Sequence, residues 1–353
     1  MKIIHCADLH LDSKLETNLD RAKANSRRRE LVLSFEKMVD YALKNSVKAV
    51  IVAGDMFDHN KITKSTVQTI ASIISKAPEI DFLILAGNHD NNNPFELLES
   101  LPKNLFLFSD RWTAYNYEGV TISGIALTEV NANVVYSSLY LEPENYNIAV
   151  MHGDISCEIN LPMLRGKNID YLALGHIHEH SEGSLDARGV YAYSGCLESR
   201  GFDESGIKGF YLIDTDKKSH TFVSGLSVRN MLEIKTDITG LEQYAEICDA
   251  VEKELEKSGA CKDDMVKIIL TGSCSLDANK EPEQILKHFE SRFFFAKVKD
   301  QTTTQISADD YKNDISLKGE FVRRVLASSL SQEEKEQIII YGIRALRGEG
   351  LDL

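Results

Sequence analysis

Five short apolar runs, each stopping at an acid, an amide or a histidine, constrain this chain more than any other feature. The runs are Lys2–Cys6, Ala49–Ala53, Phe82–Ala86, Ile148–Met151 and Tyr171–Leu174. They are rich in Val, Ile and Leu and bounded by Gly, Asp or Asn, which predicts buried strands. The segments that follow them are Asp8-Leu9-His10, Gly54-Asp55-Met56-Phe57-Asp58, Gly87-Asn88-His89-Asp90, His152-Gly153-Asp154 and Gly175-His176-Ile177-His178. Five of the 10 histidines fall in these segments, a concentration that chance composition would rarely produce. Between the strands, Arg28–Lys44 predicts an amphipathic helix with Leu31, Phe35, Met38, Val39 and Ala42 on one face, and Ser65–Lys76 reads similarly. Alternating strands and helices predict an α/β core. In an open α/β sheet, ligands collect at the carboxyl ends of the strands.

The residue types at those ends specify a metal site. Carboxylate, carboxamide and imidazole together suit manganese, iron or zinc, whereas an all-oxygen set suggests magnesium or calcium. An extended i, i+2 spacing would point Asp8 and His10, and likewise His176 and His178, to the same side. Two such pairs plus single ligands suffice for two ions, which share a bridging carboxylate and clamp a phosphate. The glycines at 54, 87, 153 and 175 let the chain turn sharply.

After about residue 185 the helical pattern disappears. Gly189–Tyr193, Gly209–Asp214 and Ser219–Val223 predict antiparallel strands completing a second sheet. Residues 228–300 read as a separate β-α-β-α-β unit. Its strands are Leu232–Thr236, Val266–Thr271 and Phe293–Val298. A Thr239/Glu242 capping box starts one helix, carrying Leu241, Tyr244, Cys248, Val251 and Leu255, and Pro282 starts the second, through Phe289. A polar stretch, Asp300–Ser307, leads to a helical segment over 308–353. There Leu317, Phe321, Val325 and Leu326 share a face, Ser331 and Glu334 form a second capping box, and Gly348 is the stop.

The five motifs, in this order, resemble the calcineurin-like metallophosphoesterase superfamily. Within it, the chain resembles the SbcD nucleases, bacterial counterparts of the Mre subunit of the Mre–Rad break-repair complex. Ile4-His5-Cys6-Ala7-Asp8-Leu9-His10-Leu11-Asp12 is most similar to the YhaO-like DNA repair exonuclease subgroup, since SbcD itself reads Asp-Trp-His there. Tyr193-Ser194-Gly195-Cys196-Leu197-Glu198 and Gly209-Phe210-Tyr211-Leu212-Ile213 are further family-like stretches. The resemblance implies a four-layer αββα sandwich over 1–226, a capping domain over 228–300 and C-terminal helices. It assigns Asp8, His10, Asp55 and His178 to one ion. Asp55, Asn88, His152 and His176 go to the other, with Asp55 bridging. His89 protonates the leaving oxygen, and Asp90 orients it. Asp12, Asp58 and Asp154 support the ligands from behind. Implied activity is manganese-dependent exonuclease or endonuclease action on DNA, with iron, zinc or magnesium as alternative ions. Implied partners are DNA, an SbcC/Rad-like coiled-coil ATPase engaged by the C-terminal helices, and a second copy of the chain.

Other readings stand beside this one. A small-molecule phosphodiesterase or nucleotide phosphatase would use the same motifs, and a non-catalytic scaffold could keep the fold. Protein phosphatases read Gly-Asp-x-x-Asp-Arg-Gly and Gly-Asn-His-Glu, where this chain has His59 and Asp90. His5 precedes the end of its strand and reads as structural, and His180 as a loop residue. Arg27-Arg28-Arg29 reads first as a solvated helix face, second as a phosphate contact. The 6 cysteines lack CxxC spacing, no apolar run nears the ~18 residues of a membrane span, and no signal-peptide pattern precedes the first motif. A cytoplasmic protein is expected. The net charge of -14 argues against strong autonomous DNA binding. Divalent ions would offset it at the cleft, leaving an expectation of weak DNA affinity without a partner.

Overall fold

The computed structural model describes residues 1–15, 19–58, 62–87, 94–132, 134–275, 278–304, 311 and 313–346. They divide into two compact units, Met1–Met231 and Leu232–Leu353.

The first unit runs β1 (Lys2–Cys6), α1 (Arg21–Lys44), β2 (Ala49–Ala53), α2 (Lys64–Ser75), β3 (Asp81–Leu85), β4 (Leu105–Leu107), β5 (Thr113–Tyr117), β6 (Val120–Gly124), α3 (Val135–Ser138), β7 (Tyr146–His152), α4 (Leu161–Leu164), β8 (Tyr171–Gly175), β9 (Ser181–Ser184), β10 (Val190–Tyr193), β11 (Gly209–Asp214) and β12 (Ser219–Ser224). Two six-stranded sheets result, in the orders β12-β11-β1-β2-β3-β4 and β5-β6-β7-β8-β10-β9. Strand side chains alternate between faces, and that alternation builds the layers. Val50, Val52, Phe82 and Ile84 point to one face and pack with Leu31, Phe35 and Met38 of α1. Ala49, Ile51, Leu83 and Leu85 point to the other and meet Ile148, Val150, Tyr171 and Ala173 of the second sheet. The far face of that sheet, with Ala149, Met151, Leu172 and Leu174, packs on Val135 and Leu164 of α3 and α4. The order is therefore helix, sheet, sheet, helix.

All five predicted core strands form, with ends shifted by no more than two residues. The later strands pair differently from expectation. β11 and β12 are antiparallel but extend the first sheet, because β11 pairs with β1 from Lys2↔Asp214 to His5↔Tyr211. β10 lies in the second sheet, parallel to β8, with antiparallel β9 outside it. Turn signals identify strands but do not select the edge a strand joins. β4, β5, β6 and β9 went unread. β9 is Ser-Glu-Gly-Ser and carries no apolar pattern.

α1 starts seven residues before the predicted Arg28, capped by Asp20, whose carboxylate accepts the Lys23 N–H. Its first turns bury a polar face. Arg27 is fully buried, bonded to Glu30, Glu198 and the Ser199 carbonyl, and Arg229 closes on Glu30. Arg27 is thus neither a solvated residue nor a phosphate contact. Arg28 bonds the Lys14 carbonyl at 3.2 Å, and Arg29 is exposed.

The second unit holds β13 (Met231–Asp237), α5 (Tyr244–Ser258), β14 (Met265–Thr271), β15 (Ser273–Cys274), α6 (Pro282–Phe289), β16 (Phe295–Asp300), β17 (Thr303–Thr304), α7 (Leu317–Leu326) and α8 (Gln332–Leu346). Its three-stranded sheet, β13-β14-β16, packs Val266, Ile268 and Leu270 against Val251 and Leu255 of α5 and Ile285 and Phe289 of α6. α5 begins later than its sequence signal. Thr239 bonds back to Asp237, and the capping box is Gln243 with Glu246. Ser331 and Glu334 do cap α8, their amides and side chains bonded reciprocally. α7 and α8 share a small core of Tyr311, Val322, Ile339 and Ile343 with Phe321, Val325 and Leu326 against it, while Leu317 is exposed. Gly348 lies outside the described residues. No described helix is long and apolar enough to cross a membrane.

Candidate metal centre

The ends of β1 and β2 are zipped to each other past the sheet. Asp8 N–H donates to the Gly54 carbonyl at 3.1 Å, His10 N–H to Asp55 at 3.0 Å, and Asp58 N–H to Leu11 at 3.1 Å. The loops after β7 and β8 are joined likewise, Gly153 N–H to the Gly175 carbonyl at 3.1 Å. One contact at the site joins the loop after β8 to the loop after β1. The His176 N–H points between both Asp8 carboxylate oxygens, 3.0 Å from each.

The turns are left-handed at residues other than glycine. Asp8, His10, Asp55 and His176 have φ of 53°, 43°, 51° and 104°. Such backbone costs about 1–3 kcal/mol per residue and concentrates at functional sites. Asp8 and His10 therefore converge through coiled turns, not through the extended spacing expected from the sequence. Glycine is required where the chains touch. A Cβ on Gly54 would stand 2.1 Å from His152 Nδ1, one on Gly175 1.9 Å from the Ala53 carbonyl oxygen, and one on Gly87 2.1 Å from Asp55 Oδ1.

Two groups of donor atoms emerge, Asp8–His10–His178 and Asp8–Asp55–His152, each with its ligand atoms within 4.8 Å of one another. Asp8 belongs to both. Asp55 Oδ2 lies 3.7 Å from His10 Nε2 and 3.5 Å from His152 Nε2, between the two groups. His176 contributes its backbone to Asp8, and its ring stands 5.4 Å from that of His152, centroid to centroid. Asn88, His89 and Asp90 lie outside the described residues. Asp58 faces His10 Nδ1 at 3.8 Å. Asp12 instead accepts the Thr63 N–H at 2.8 Å, at the cap of α2, and Asp154 closes a turn on the Ser156 N–H at 2.6 Å. His5 is buried between Tyr171 Oη at 2.9 Å and the Leu174 carbonyl at 3.1 Å, and His180 stacks on Phe222.

This donor set fits divalent cations. His10 Nε2 and His178 Nε2 face each other at 3.1 Å. Two imidazole nitrogens sharing one ion at about 2.0–2.1 Å, near a right angle, sit about 3 Å apart. His152 Nδ1 bonds the Ala53 carbonyl at 2.9 Å and His178 Nδ1 bonds Glu204 at 2.8 Å, which leaves each Nε2 facing the site. Burial pushes the Asp8 carboxyl up to about 6, against the pull of His152 and His178. Burial, and then the Arg200 charge, lower His10 to about 3, which favours the neutral imidazole that metal coordination needs. Burial opposes charge on His152 too, but Asp55 and Asp8 raise it to about 9. Buried acids held against protonated imidazole are the arrangement that metal binding resolves.

Glu204 and Arg200 were not singled out from the sequence. They sit in Ser199-Arg200-Gly201-Phe202-Asp203-Glu204, just past a family-like stretch, and no spacing connects them to the histidine motifs. Beside His152 a groove of about 1100 Å³ opens, lined by Gly87, Leu127, Tyr136, Ile155 and Leu161, among others. Its lining includes Glu129 and Glu158 and, among the described residues, no Lys or Arg.

Several known proteins resemble the chain. The calcineurin-like phosphoesterase family matches residues 1–180. The DNA double-strand break repair protein Mre11 of Saccharolobus solfataricus is 28% identical over 242 residues, 62% of this chain and 61% of that one. The chain thus spans about three fifths of that relative's length. The uncharacterized metallophosphoesterase YhaO of Bacillus subtilis is 25% identical over 319 residues, 82% of this chain and 76% of that one. A dimetal phosphatase from Danio rerio superposes with a TM-score of 0.43 at 13% identity, covering 60% of this chain and 91% of the other. The family match runs through the strands whose ends carry Asp8, Asp55, His152 and His176, and the chain belongs to the calcineurin-like phosphoesterases.

Proposed function

We propose that the chain is a two-metal phosphodiesterase acting on DNA, of the SbcD/Mre type. The observation that carries the hydrolytic reading is the pair of donor groups sharing Asp8 where the two sheets meet. Asp8, His10, Asp55 and His178 hold one ion. Asp55, Asn88, His152 and His176 hold the other, and the station of Asp55 Oδ2 between His10 and His152 supports its bridging role. Manganese is the first choice of ion, since mixed imidazole and carboxylate donors suit it. When bound, such ions neutralise phosphate charge and activate the attacking water. His89 donates the proton that the departing alkoxide needs, because imidazole titrates near neutrality, and Asp90 orients it.

DNA as substrate is supported by the Mre11 relatives. A groove of about 590 Å³ whose lining includes Arg28, Arg29, Thr63 and Thr66, beside one acid, Asp12, offers cations and hydroxyls to a phosphate backbone. Residues 228–300 govern substrate access, and the C-terminal helices engage a coiled-coil ATPase in the cytoplasm. The chain pairs with a second copy of itself. One observation favours a second reading, a small-molecule phosphodiesterase. The groove beside His152 carries two acids and no cation among its described lining, a setting for a compact, weakly charged diester. Comparing kcat/KM with manganese for linear DNA, cyclic nucleotides and a chromogenic diester separates the two. DNA preferred by tenfold or more supports the nuclease, and cyclic nucleotides preferred overturns it.

A further inference from the structure

The two donor groups are braced by different means. His152 leans on backbone, through its 2.9 Å bond to the Ala53 carbonyl. The other group leans on charged side chains that meet at one residue. Arg200 holds Glu204 three ways, by its Nε at 2.8 Å, its Nη2 at 2.7 Å and its backbone N–H at 2.8 Å. Glu204 in turn accepts from His178 Nδ1 at 2.8 Å. The same guanidinium places Nη1 3.8 Å from Asp58 Oδ2, and the other oxygen of Asp58 lies 3.8 Å from His10 Nδ1. Ser13 Oγ donates to the Asp58 carboxylate and pins it from outside, while Ser199 Oγ donates to the Glu204 backbone carbonyl. Both ends of the guanidinium fork therefore reach a carboxylate that faces a histidine of the same group.

We propose that Arg200 is a positioning residue that fixes both histidines of the Asp8–His10–His178 group at once, His178 through Glu204 and His10 through Asp58, and so sets metal affinity on that side of the centre alone. The planar fork matters. A guanidinium spans two carboxylates with fixed directions, which an ammonium on a flexible stem does not. Loss of such an outer partner costs about 10–100-fold in metal affinity.

The inference rests on the two-metal reading, and its test separates the two. Mn2+ is titrated into metal-free full-length protein, with bound and free ion counted by electron paramagnetic resonance, for the parent, Arg200→Ala, Arg200→Lys and Glu204→Gln. Thermal melts of the metal-free proteins verify folding. Two binding events are expected in the parent. Arg200→Ala should weaken one of them about 10–100-fold and leave the other within about twofold. Arg200→Lys should restore only part of the loss. Glu204→Gln, which keeps a hydrogen-bond acceptor of the same size, should weaken the same event. A parent that binds no Mn2+ overturns the two-metal reading and this inference with it. Two events in the parent that Arg200→Ala leaves unchanged, or weakens equally, overturn this inference alone.

Discussion

The two sides of the candidate metal centre hold their histidines by opposite means. On the His152 side the imidazole is held by backbone, a carbonyl at Ala53 and chains at Gly54 and Gly175 packed too tightly for any Cβ. On the His10–His178 side the imidazoles face the carboxylates of Asp58 and Glu204, which Arg200 reaches. Backbone support is rigid and demands glycine at particular positions. Side-chain support is adjustable and depends on charges that must themselves be held. The difference also appears in protonation, since His152 is raised to about 9 while His10 is lowered to about 3. The two sides should respond differently to substitution and to pH.

The largest effect should come from the carboxylate proposed to bridge both ions. Asp55→Asn removes that charge from both sides and should cut hydrolysis by about 10³-fold or more, since metal-borne charge stabilisation is worth several kcal/mol. A kcat/KM within tenfold of the parent would break the bridging account. His89→Asn should lower turnover by ~10²-fold with both Mn2+ affinities intact, because only proton transfer is lost. Weakened metal binding in that variant would make His89 a ligand instead. Gly54→Ala forces a methyl against His152 from a backbone at φ 97°, and should weaken only the binding event that Arg200→Ala spares. Loss of the same event in both variants would erase the distinction between the sides.

The smallest effect concerns protons. At pH 7.5 His152 is protonated and must release its proton to bind metal, whereas His10 is already neutral. Calorimetry of Mn2+ binding in buffers of different ionisation enthalpy should count about one proton released. Affinity on the His152 side should fall as pH drops below about 9. The linked stability has the opposite sign. His152, raised above its unfolded value, stabilises the metal-free protein fully below about 6.5, and that contribution disappears as pH rises through 9.

The contrast also explains what the sequence disclosed. β1, β2, β3, β7 and β8 were legible because both faces of each are buried, which leaves near-continuous apolar runs, and their ends carry unusual residue types. Asp8, His10, Asp55, His152 and His178 were legible for that second reason. Arg200 and Glu204 were not, because their role depends on a loop folding back across about 20 residues of chain from His178 onto its outer face, with no local periodicity to announce it. Arg27 misled for a related reason. Two cations follow it, and besides Glu30 its partners, Glu198 and Ser199, are far along the chain. The assignment of β11 to the first sheet was hidden likewise, since strand patterns carry no information about which edge is open.

The most direct test is digestion of end-labelled DNA by the full-length protein with Mn2+, beside a chelator control and Asp55→Asn, with a chromogenic diester run in parallel. The account predicts metal-dependent shortening of the DNA that both the chelator and Asp55→Asn abolish. Intact DNA under conditions where the chromogenic diester is hydrolysed would contradict it.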